Sequence, residues 1–223
     1  MAEVRTAGLL LSIGSLITIV CILMEVYAGW ASLSVEMKRT DYEAGVFLFN
    51  HWPQMKSIWG WSLFGNVFLA IAALLLQKNA SNVGVFPASV LWSIYFIGCL
   101  LLIISFGLSL GSYYPALEVI EQQPAIFVAL RGTPLYLFDL GAISGLVLFI
   151  IYFYEGFSKQ GIVSRKWAIA ALSCIIVSIV LVSVGFASFT VFAIACFFVP
   201  LFLGASYWRY SSVQVSQEAI HKP

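Results

Sequence analysis

Charge is what this sequence has least of: Asp, Glu, Lys and Arg make up only 9% of its 223 residues. A soluble domain carries about 25% charged residues, because a surface facing water needs them. So few charges cannot build such a surface, whereas a surface facing lipid needs none. The formal net charge is +1, which removes the electrostatic case for nucleic acid as a partner.

Histidine is nearly absent as well. His51 and His221 are the two in the chain, and neither lies in an apolar run. Histidine-ligated haem and histidine-based metal sites are therefore excluded from the membrane-embedded part. Cys21, Cys99, Cys174 and Cys196 each fall inside an apolar run without a CxxC pair, so they read as small apolar residues. No aspartate cluster for metal-assisted transfer, P-loop or Rossmann glycine pattern occurs. Gly141-Ala142-Ile143-Ser144-Gly145 invites comparison with an intramembrane serine protease, but no base is placed to take the Ser144 proton. The residues thus point away from an enzyme and call for no cofactor and no metal.

What the chain does have is apolar length: 61% hydrophobic residues and a mean hydropathy of +0.99. A spanning helix needs about 20 apolar residues at 1.5 Å rise each. Six stretches qualify, at 6–29, 58–76, 87–113, 135–157, 167–186 and 187–208. Pro87 suits a first helical turn, where its missing N–H costs nothing. The last two stretches form one charge-free run, which Gly185-Phe186-Ala187-Ser188 would divide into a hairpin. The first is too long for a signal-peptide core, and Glu25 precedes the only cleavage-like site, so it reads as a retained helix. The expected fold is all-α: one polytopic integral membrane helical bundle over residues 1–210, with about six transmembrane helices and a polar tail at 211–223.

Basic residues set the expected orientation. With six spans, Arg5, Lys78, Lys159, Arg165, Lys166, Arg209 and Lys222 share one side, against Lys38, Arg39, Lys56 and Arg131 on the other. That bias predicts both termini in the cytoplasm. Trp30, Trp59, Trp61, Tyr113, Tyr114 and Tyr136 then mark the outer interface, and Trp92, Tyr152, Tyr154, Trp167, Tyr207 and Trp208 the inner one. Asn79-Ala80-Ser81 matches a glycosylation acceptor but falls on the cytoplasmic side. The location implied is a plasma or inner cell membrane.

Two outer loops are expected to be long, Trp30–Ser57 and Pro115–Pro134. Each holds an apolar run too short to span, 46–49 and 125–130, expected to lie at the interface or to fold over the bundle as a lid.

Within the spans, Glu25 and Asp139 are carboxylates near the outer boundary, where charge costs less than at the bilayer centre. Asn66 is the amide furthest inside a span. These three are the candidate ligand or ion contacts, against the plainer readings of headgroup solvation and interhelical adhesion. Lys38, Arg39 and Arg131 are candidate partners for the carboxylates. Small residues recur at packing spacing, as Gly8 with Ser12, Gly107 with Gly111 and Gly141 with Gly145. Such pairs let helix backbones approach, and are expected to build the bundle interior.

The function expected is that of a non-enzymatic subunit or accessory protein, acting through helix packing and outer-loop contacts. Its partners would be the lipid bilayer, other membrane subunits or further copies of itself. The alternative is a small transporter or membrane substrate-binding protein, with an outward-facing pocket under the two long loops. Six helices with both termini inside is also the layout of the substrate-binding subunits of vitamin-uptake transporters, an analogy of topology alone.

Overall fold

A computed structural model describes residues 2–30, 33, 42–79, 88–157, 162–183 and 196–209. Among them every regular element is a helix: α1 (Ala2–Tyr27), α2 (Tyr42–Lys78), α3 (Ala88–Glu118), α4 (Pro124–Ser144), α5 (Val147–Phe157), α6 (Arg165–Ser183) and α7 (196–209). Among the described residues four helical stretches are long and apolar enough to cross a membrane: α1, α2, α3 and the α4–α5 pair over Pro124–Phe157. They are apolar around most of their circumference, as lipid-facing helices are, rather than striped on one side. The chain is therefore a helical bundle of membrane type. The 185–188 turn, Pro87 and the 211–223 tail lie outside the described residues.

Helix ends depart most from expectation. The apolar stretch at 58–76 is only the second half of α2, which has 37 residues and runs about 55 Å at 1.5 Å per residue. The hydrocarbon core is about 30 Å thick. Most of the expected first loop is thus helix, with Pro53 accommodated inside it. The second is helical too: α3 runs past Pro115 to Glu118, and α4 starts on Pro124, whose fixed φ suits a first turn. An apolar run records membrane thickness, whereas a helix continues as long as its backbone bonds and side packing hold. The runs at 46–49 and 125–130 are accordingly helical, with Leu48 and Phe127 buried between helices while Phe49, Ile126, Val128 and Leu130 are exposed.

Buried side chains form two clusters, one toward each end of the bundle. At one end α1, α2, α3, α5, α6 and α7 meet around Trp92, Tyr152, Leu203 and Tyr207. Lys78 Nζ and Asn79 Nδ2 both bond Glu3 there, at 3.1 and 2.9 Å, tying the end of α2 to the start of α1. At the other end α1, α2, α3 and α4 enclose Trp30, Trp52, Met55, Trp59, Tyr113 and Phe127.

Between the clusters the helices cross on small residues. An added Cβ on Gly14 would stand 2.7 Å from the Gly65 carbonyl oxygen, so α1 and α2 touch backbone to backbone. Gly141 meets the Gly98 oxygen at 2.9 Å in the same sense, joining α4 to α3. Ser105 Oγ adds a hydrogen bond across that pair, to the Pro134 oxygen at 2.6 Å. Close approach of this kind supplies van der Waals contact where lipid removes the hydrophobic drive.

The expected packing pairs separate by outcome. Gly8 and Ser12 lie at the α1–α7 crossing, where Gly8 faces the Gly204 backbone and Ser12 Oγ donates to the Leu201 oxygen at 3.3 Å. Gly107 and Gly111 do not build the interior among the described residues, because an added Cβ on either meets nothing within 4 Å. Gly145 marks a break. Its N–H and that of Leu146 reach back three residues to Ala142 and Ile143, tightening the chain between α4 and α5.

Candidate functional site at the Arg131 end

Local sequence assembles this end of the bundle. Gly29 adopts a positive φ of 87°, open to glycine without a Cβ penalty, and so ends α1. That turn directs Trp30 back into the core rather than toward solvent. On α2, Leu48, Trp52, Met55 and Trp59 follow at helical spacing and bury one side. The last turns of α3 add Tyr113 and Leu117, and the first turns of α4 add Phe127 and Arg131.

The rings interlock at edge-to-face and tilted angles. Trp59 stands 5.9 Å from Trp30, 6.1 Å from Trp52 and 6.0 Å from Tyr113, each near perpendicular. Tyr113 meets Phe127 at 5.4 Å, and Trp30 meets Phe47 at 5.7 Å. Aromatic pairs so arranged gain about 0.5–1.5 kcal/mol each beyond the area they bury. A rigid aromatic head results.

Two charged side chains are built into it. Glu25 is half-buried and accepts a hydrogen bond from Trp59 Nε1 at 3.0 Å, so one of its oxygens serves to hold α1 against α2. Trp59→Phe keeps an aromatic ring but removes that donor together with the five-membered half of the indole. The variant should lose about 1.5–3 kcal/mol of stability, the usual range for a hydrogen bond to a charged group. Unfolding in detergent checks this; a loss near zero would mean that Glu25 is held by water instead.

Arg131 is the second, and only 4% of it is exposed. Its Cζ lies 5.4 Å from the Trp30 ring centroid and 5.6 Å from that of Phe127. A desolvated cation–π contact is worth about 2 kcal/mol, which offsets only part of the several kcal/mol that burying a charge costs. Its Nη1 has no hydrogen-bond acceptor. The expected loop base is thus a buried head residue.

The other sequence candidates lie apart from this pair. Asn66 is buried inside the α1–α2–α3 packing, where its Nδ2 donates to the Ser62 carbonyl of its own helix at 2.8 Å while Oδ1 has no partner. Asp139 is half-buried on α4 and is not without a partner. An open groove of about 370 Å³ runs along α2, lined by Pro53, Lys56, Ser57, Gly60, Trp61 and Phe64.

At the opposite end sits a third in-span carboxylate, one not among the sequence candidates. Glu155 on α5 is 5% exposed. Its Oε2 accepts from the Ile162 backbone N–H at 3.1 Å and its Oε1 from Tyr207 Oη at 3.4 Å. The signal was a Glu three residues inside the end of an apolar stretch. Neither donor carries charge.

Among the described residues no group of three His, Cys, Asp or Glu is placed to hold a metal. No protein-family model matches this chain, and neither does a curated protein or a solved structure. The described side chains offer hydrogen bonding, aromatic surface and an unsatisfied cationic donor on Arg131.

Proposed function

We propose that this chain is a non-enzymatic multi-pass protein of a plasma or inner cell membrane, acting as a subunit or accessory protein of a membrane assembly. It crosses six times with both termini cytoplasmic, so the aromatic head faces outward. What supports this reading most is that, Asn66 Oδ1 and Arg131 Nη1 apart, the polar groups described within the helices are spent on neighbouring helices or on their own backbone. Glu25 holds Trp59, Ser105 holds α4, and Ser15 and Thr18 bond carbonyls one turn back. A head of projecting helices with large side chains packed inside it suits contact with another protein better than passage of a solute.

Purification in a mild detergent from the native membrane, followed by mass measurement of the intact particle, tests it. A particle heavier than the 24.6 kDa chain by one stoichiometric protein, or by further copies, is the expected result. A lone chain carrying a small solute would overturn it in favour of a small transporter or substrate-binding protein. The observation that favours that second reading is the open hydrogen-bonding position on Arg131.

A further inference from the structure

Arg131 combines three properties that do not balance one another. It is permanently charged, it is almost wholly buried, and its Nη1 reaches no acceptor. Trp30 and Phe127 present ring faces to the guanidinium. Ring faces attract its charge, but they do not replace oxygen acceptors for its in-plane N–H groups. No carboxylate among the described residues forms an ion pair with it; the ion pair described at the far end joins Lys78 to Glu3. What completes a guanidinium edge is an oxyanion, since two parallel N–H groups match two oxygens of a carboxylate or phosphate.

Position narrows the source. Arg131 lies in the first two turns of the Pro124–Phe157 stretch, beside Trp30 and Tyr113. The start of a stretch long and apolar enough to span is where headgroup level is expected, and basic side chains at span ends meet lipid headgroups there. We propose that Arg131 is an oxyanion-binding site, taking the phosphate of a lipid headgroup or a free carboxylate or phosphate between the ends of α1, α3 and α4. This holds whether the chain is a subunit or a transporter, so the two readings fail separately.

The test uses the full chain, stripped of lipid in dodecyl maltoside and titrated in separate arms. These are dioleoyl phosphatidylglycerol, dioleoyl phosphatidylcholine, inorganic phosphate and acetate. Bound species are counted by native mass spectrometry, and tryptophan emission is followed because Trp30 lies against the guanidinium. The wild type should retain one lipid or one free anion, and Arg131→Gln should bind it about tenfold to a hundredfold more weakly. Binding in a lipid arm alone assigns a headgroup, and binding of phosphate or acetate assigns a soluble anion. Lys56→Gln, on the α2 groove, should bind as the wild type does. If Arg131→Gln does not fold, Arg131→Lys decides: it keeps the charge and loses the paired N–H geometry, so weaker binding is expected. A wild type that binds no probe, or an Arg131 variant that binds equally well, overturns the proposal.

Discussion

Gly204→Leu should separate α7 from α1 and lower the stability of the bundle by about 3 kcal/mol, at the upper end of the range for overpacking a filled site. The reason is what a side chain there would meet. A Cβ on Gly204 would stand 2.5 Å from the Gly8 oxygen and 2.8 Å from the Ser12 nitrogen. Both are backbone atoms of α1 and cannot rotate aside, so relief requires moving a whole helix. Gly8→Leu should act alike, since its Cβ would stand 2.7 Å from the Gly204 oxygen and 2.8 Å from the Trp208 nitrogen. Moving α7 outward would also loosen Tyr207 from Trp92, whose rings now lie 6.2 Å apart. Gly107→Ala is the control: its Cβ enters open space, and alanine gains about 0.8–1.0 kcal/mol over glycine in helix propensity. Detergent unfolding of the three variants beside the wild type makes the comparison. Equal losses at Gly107 and Gly204 would mean that helix flexibility, not contact, sets the effect.

That pair of glycines also shows what the sequence could and could not convey. Gly8 and Ser12 are readable as a face of α1 because four-residue spacing puts them on one side. Their partner Gly204 is not readable, because spacing along one helix carries no information about another. Gly107 and Gly111 have the same spacing and face nothing. The spans were legible from apolar length, which the bilayer imposes directly. Their ends were not, because 42–57 mixes Asn50, His51, Gln54 and Lys56 with its apolar residues. Yet Leu48, Trp52, Met55 and Trp59 recur there at intervals of four, three and four, the period of a buried helix face. Apolar length alone makes the helical head look like loop, whereas its period marks a helix. The charge of Arg131 misleads for a related reason. Charge suggests solvent, and only Phe127 one turn before it and Pro134 one turn after hinted that its side of α4 is covered.

Glu155→Ala should be the most damaging single change at the far end, costing about 2–6 kcal/mol. The removed carboxylate would leave the Ile162 N–H and the Tyr207 hydroxyl without acceptors, and each buried group left unsatisfied costs about 1–3 kcal/mol. The damage should spread, because the acceptor joins three parts of the chain: α5, the segment leading into α6, and α7. Glu155→Gln separates geometry from charge. Its amide oxygen can still accept from Ile162, and the cost of holding an uncompensated charge between two neutral donors is gone. Glutamine should therefore keep most of the stability, and Tyr207→Phe, which removes the longer of the two bonds at 3.4 Å, should cost less than alanine at 155. Unfolding in detergent ranks the three, with proteolysis between α5 and α6 as a second readout for release of that segment. If alanine and glutamine were equally harmful, the carboxylate's charge would matter in its own right, and Glu155 would have to be reread as a group that works in the charged state rather than as a tie between helices.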